Sequence, residues 1–94
     1  MKSRETLIRL KRFQVDEKRR QVTQIETMIA EFERMAAELD REIRQEEQKA
    51  GITDTAHFAY PTYARAAMVR RDNLLNSAGD LKAIALVVGV GLLD

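Results

Sequence analysis

No cysteine occurs in these 94 residues, so disulfides and metal centres built on thiolates are excluded. The absence accords with a reducing compartment. Tryptophan is missing too, aromatics make up only 5%, and there are four glycines and one proline. Such a chain has little material for a deep globular core and few breaks between its elements. His57 is the sole imidazole, three residues after Asp54. A lone histidine without a second ligand supplies neither a metal site nor a nucleophile–base set, and its bland reading is a solvated loop residue. Gly89-Val90-Gly91 is not followed by lysine, so no phosphate-cradling loop is present. No catalysis, no cofactor and no metal are expected.

Long apolar runs are also scarce. The longest, AIALVVGVGLL at 83–93, has eleven residues. A helix crossing a bilayer needs about 17–25, so no direct membrane span is expected. Its valines and glycines read as β-prone and foreign to a chain one-third charged. Near the start, Arg9, Lys11 and Arg12 leave no apolar core for a signal peptide, and Glu5, Asp16 and Glu17 interrupt a presequence-like basic face.

Charge and period are what the chain has in quantity. With position a of a seven-residue frame at Ile8, the a sites are Ile8, Val15, Val22, Ile29, Ala36 and Ile43. The d sites are Lys11, Lys18, Ile25, Phe32, Leu39 and Glu46. An apolar seam sustained over several heptads predicts a coiled coil. Ser3 is the expected N-cap, and Glu5→Arg9, Asp16→Arg20 and Asp40→Arg44 are acid-before-base pairs at i,i+4. Gly51 suits the residue past a helix end, and Pro61 suits the first turn of the next helix. The prediction is all-α: an antiparallel two-helix coiled-coil hairpin with a long first helix at 3–50, a connector at 51–60 and a shorter second helix at 61–88. The second seam is expected at Tyr63, Ala67, Arg70, Leu74, Ser77, Leu81, Ile84 and Val88. Thirty-odd residues of return helix reach Ile25 through Ile43 and leave Ile8 and Val15 uncovered.

The charge is lopsided along the first helix. Residues 1–20 hold eight basic and three acidic side chains, net +5; residues 21–50 hold four and eight, net −4. This opposes the helix macrodipole, which favours acids first and bases last. The basic face comprises Lys2, Arg4, Arg9, Lys11, Arg12, Lys18, Arg19 and Arg20, and it reads either as a solvated surface or as an electrostatic contact. Lys11 and Lys18 at d weaken the seam and tend to specify pairing. Nucleic acid is not expected, given the acidic half and the lack of stacking aromatics on that face. Met28, Phe32 and Met35 read as packing against the return helix, and FAYPTY at 58–63 as a plug for the hairpin end.

Running sequence adds a resemblance. KSRETLIRLKRFQVDEKRRQVTQIETMIAEFERMAAELDREI, GITDTAHFAYPTYARAA and RRDNL resemble the FliJ family of flagellar export proteins, in its alphaproteobacterial form, to about residue 82. The resemblance implies a non-enzymatic coiled-coil stalk of the flagellar type III export apparatus. Implied partners are the hexameric export ATPase, the membrane export gate and export chaperones. It places the protein in the cytoplasm, held peripherally at the inner membrane through that apparatus, with Arg4, Arg9, Lys11, Arg12, Lys18, Arg19 and Arg20 as the partner-binding set. The chain departs from the family after that point, where AIALVVGVGLLD replaces further charged heptads. Two other readings stand beside it: a generic coiled-coil adaptor or chaperone that self-associates through its exposed N-terminal seam, and membrane-surface binding by the basic arm or the apolar tail.

Overall fold

The computed structural model describes residues 2–91. Two helices make up the fold, α1 at Lys2–Ala50 and α2 at Thr62–Val90. They fold back on each other as a hairpin 75 Å long and 17 by 14 Å across. The 49 residues of α1 at 1.5 Å rise account for nearly all of that length. The helix is unbroken because no glycine or proline interrupts it before Gly51.

Ser3 lies inside α1 rather than at its cap, since the helix already includes Lys2. The other end closes as the glycine suggests. Gly51 takes φ +69°, and the amides of Gly51 and Ile52 both donate to the Glu47 carbonyl at 2.8 and 3.3 Å. These bonds satisfy a carbonyl the helix itself leaves free. In the connector, Asp54 Oδ1 accepts from the Ala56 amide at 2.9 Å. Arg65 then donates to the Thr55 carbonyl at 2.9 Å, tying the connector to the first turn of α2. Pro61 stands at the N-cap, φ −57° and ψ 126°, one residue before the helix. Its carbonyl accepts the first helical bond, from Arg65 N–H at 3.1 Å.

The seam of α1 follows the heptad frame from Val15 onward. Ile29, Ala36 and Ile43 are buried, and Val15, Val22, Ile25, Phe32 and Leu39 are half-buried. Ile8 is 46% exposed. Val15 departs from the expectation because the return helix is longer than expected. AIALVVGV continues α2 to Val90 as helix instead of forming a β-prone tail. Neighbouring α1 overrides the weak strand preference of those valines. The last residues of that segment, 92–94, lie outside the described residues.

The seam of α2 needs a larger correction. Of the eight sites expected, Leu74, Leu81 and Val88 are half-buried and Ala67 buried, but Tyr63, Arg70, Ser77 and Ile84 are exposed. Their places are taken one residue later by Ala64, Arg71, Ala78 and Ala85, of which Ala64 and Ala78 are buried. Cross-helix bonds set the register: Glu47 with Tyr60, Asp40 with Arg71 and Glu33 with Lys82. That register sets Ala67 level with Ile43, Leu74 with Ala36, and Ala78 with Phe32. Large residues face small ones, the complementarity that lets two helices interdigitate. Alanine also loses no rotamer freedom on burial, which ranks it above bulkier candidates at a close crossing.

Ion pairing follows the same register. Asp40 does not pair with Arg44; its Oδ1 accepts from Arg71 at 2.7 Å across the seam. Arg20 pairs with Glu17, not Asp16, and Glu5–Arg9 is absent among the ion pairs of the described residues. The Arg71 guanidinium is held above its ordinary pKa by the bond to Asp40, against the opposing effect of burial. Lys82 and Glu33 meet at 3.6 Å with both side chains about half exposed. Such a pair contributes roughly 0–1 kcal/mol. Its value is in setting which residues face each other.

Candidate functional site

The hairpin has a closed end and an open end. At the closed end, Ile43, Tyr60, Ala64 and Ala67 form the core cluster, with Leu39, Ile52 and Met68 packed around it. Tyr60 plugs this end at 4% exposure, whereas Phe58 is 96% exposed and Tyr63 54%. Only one ring of FAYPTY therefore closes the hairpin. Tyr60 donates to Glu47 Oε2 at 2.9 Å and Tyr63 to Glu42 Oε2 at 2.6 Å. Phe58 stacks on His57, 4.7 Å between ring centres, and His57 Nδ1 accepts from the Ala59 amide at 3.0 Å. Among the described residues no group of three acidic, histidine or cysteine side chains is placed to hold a metal.

Both tyrosines have their pKa raised. For Tyr60 the chief cause is burial, followed by the bond to Glu47; for Tyr63 it is the bond to Glu42, followed by burial. A hydroxyl whose pKa is higher folded than unfolded favours folding while it stays protonated. That contribution is complete below the ordinary tyrosine pKa of about 10 and is lost as pH rises through the folded value. The urea midpoint is therefore expected to fall as pH rises above about 10, and to fall less in a Tyr60→Phe, Tyr63→Phe double variant. Equal slopes in the two proteins would count against these two bonds.

At the open end, α1 runs on alone. Lys18 is half-buried, and its Nζ lies 2.6 Å from where a Cβ on Gly91 would stand. Toward the N-terminus from there, no other described element packs along α1. Arg4, Arg9, Lys11 and Arg12 sit on this projecting stretch and are exposed, as are Arg19 and Arg20 where α2 arrives. An open groove runs along it, lined by Arg4, Leu7, Ile8, Lys11, Arg12, Val15, Asp16 and Arg19. The structure thus gathers Arg4, Lys11, Arg12 and Arg19 on one face with the exposed seam residue Ile8 and the half-buried Val15. Arg9 and Arg20 lie outside that groove, Arg20 being paired with Glu17. The seam side of the arm offers cations around an apolar strip, which can grip an acidic helix or surface.

Sequence reading missed a second exposed set on the arm: Leu7, Leu10 and Phe13, 62, 50 and 58% exposed. Their three-residue spacing was the available signal, masked by the stronger heptad beside it. Met28 is also exposed at 46%, so it does not pack as expected, while Met35 is half-buried. In addition, α2 is long and apolar enough to cross a membrane by length and composition alone. Here it lies lengthwise on α1, bonded through Arg71 and Lys82.

Comparison with protein-family models, with curated proteins and with solved structures finds no match.

Proposed function

We propose that this chain is a non-enzymatic coiled-coil stalk of the flagellar protein export apparatus, which binds the ring of the export ATPase through its projecting arm. The observation that carries the reading is the unequal hairpin. A stiff α1 extends past α2 and presents Arg4, Lys11, Arg12 and Arg19 around Ile8 and Val15. The running-sequence resemblance supplies the identity of the partner, and the rod shape and lopsided charge support it. A rod 17 by 14 Å across is slender enough to enter a protein ring end-on. Its basic arm would meet acidic residues of the ring, while the closed end with Phe58 stays outside for the export gate or an export chaperone. The proposed location is the cytoplasm, held peripherally at the inner membrane through the apparatus.

Mixing the protein with the export ATPase tests this reading. Faster hydrolysis or ring assembly is expected, and replacing Arg4, Lys11, Arg12 and Arg19 by Gln should abolish it. Unchanged hydrolysis and oligomerisation with the intact protein would overturn the proposal.

A second reading has one observation in its favour. Ile8, 46% exposed on a seam face, could pair with a second copy, making the protein a self-associating coiled-coil adaptor or chaperone. Two such arms would bring like charges together, which opposes the pairing. Sedimentation velocity separates the two readings, since the stalk is monomeric alone and the adaptor is dimeric.

A further inference from the structure

The apolar surface at the open end of the rod belongs to both helices and is not the seam. Tyr63 bonds to Glu42, which fixes one flank of the hairpin where the two helices meet beside the seam. Positions seven apart share a helix face, so that flank carries Gln21, Gln14 and Leu7 on α1 and Arg70, Ser77, Ile84 and Gly91 on α2. Phe13, Gln14 and Gln21 do line one hollow together with Gly91. At the open end this flank presents Leu7 and Leu10 on α1 and Ile84 and Val87 on α2, with Phe13 and Val90 at its two outer edges, each 49–73% exposed. Single exposed apolar residues need no explanation, but six on one side of one end are a patch. Leu7 borders the seam groove, whereas Leu10 and Phe13 turn away from it and would stay open beside a second helix packed on that seam.

Cations border the patch on α1. At 100° per residue, Leu7, Leu10 and Phe13 span an arc with Arg9 just beyond Phe13 and Lys11 and Lys18 just beyond Leu7. An apolar arc edged on both sides by long basic side chains matches a helix lying in a membrane interface. The apolar residues enter the acyl boundary and the cations reach the phosphates. Charge decides between occupants. A second copy would set two arms of net +5 against each other, whereas an anionic headgroup layer neutralises them, each cation near such a surface being worth about a factor of five in binding.

We infer that the side of the hairpin formed by Leu7, Leu10, Phe13, Ile84, Val87 and Val90 is a docking surface for an anionic lipid bilayer, with the rod lying on the membrane and not crossing it. Co-sedimentation of the full chain with phosphatidylserine–phosphatidylcholine vesicles and with pure phosphatidylcholine vesicles tests it. The protein should pellet with the anionic vesicles only, and less at high salt. Arg9→Gln with Lys11→Gln should lower the partition coefficient roughly twenty-five-fold. Leu10→Gln with Phe13→Gln, at exposed positions off the seam, should reduce pelleting to background with the far-UV circular dichroism unchanged. Protein left in the supernatant with both vesicle types overturns the inference, as does pelleting indifferent to Leu10→Gln with Phe13→Gln. Lipid-free dimerisation abolished by that same pair would assign the surface to a second copy and also overturn it.

Discussion

Replacing Ile43 by Ala lowers stability by about 3 kcal/mol, within the usual range for truncating a buried branched side chain. Ile43 is 4% exposed and packs with Tyr60, Ala64 and Ala67, the one cluster that closes the hairpin. Only seven apolar residues are buried among those described, and four of them are alanines. Little remains elsewhere to share the loss. Small domains hold roughly 5–15 kcal/mol in total, and a two-helix hairpin belongs at the low end. At this chain length the change corresponds to a drop in Tm of roughly 10–20 °C, read by far-UV circular dichroism. Ile8→Ala occupies the same heptad position yet removes a side chain that touches no second helix. It should shift stability by no more than about 0.5 kcal/mol. Equal losses at the two sites would mean that α2 covers α1 elsewhere than the structure has it.

Ala64→Leu is the second large effect, and it runs against the coiled-coil pattern. Leucine at a seam site ordinarily strengthens such a pair. Here Ala64 is fully buried, 0% exposed, in the cluster with Ile43 and Tyr60 at the hairpin base. Three further carbons have no space there without pushing the helices apart and drawing Tyr60 from Glu47. Overpacking of this kind costs about 1–3 kcal/mol. Ile84→Ala is the paired control. The periodicity alone puts Ile84 in the seam and predicts a loss of about 2 kcal/mol or more, with Ala64→Leu harmless. The structure, which leaves Ile84 49% exposed, predicts the reverse order. Thermal melts of the two variants distinguish the registers directly.

The same contrast shows how much was legible in the residues. The all-α hairpin with a long first helix and a shorter second was predicted from period and glycine placement, and the structure has it. The seam of α1 was readable because its a sites are large and apolar and its surroundings charged. The seam of α2 was not readable, because its inward face is mostly alanine while Tyr63 and Ile84, which look like seam residues, face water. The basic arm was legible as charge. The apolar patch beside it was not, since half of it lies on α2 and is assembled only when the helices align.

By itself the sequence determined that there would be two helices, where the first stops at Gly51, and where positive charge collects. Each of these is local: a propensity, a glycine able to take positive φ, a run of arginines and lysines. Which face of α2 turns inward, that Asp40 meets Arg71 and not Arg44, and which apolar side chains stay in water were decided only by packing one helix on the other. Those outcomes depend on the fit of large against small across a gap, and neither helix alone contains that information.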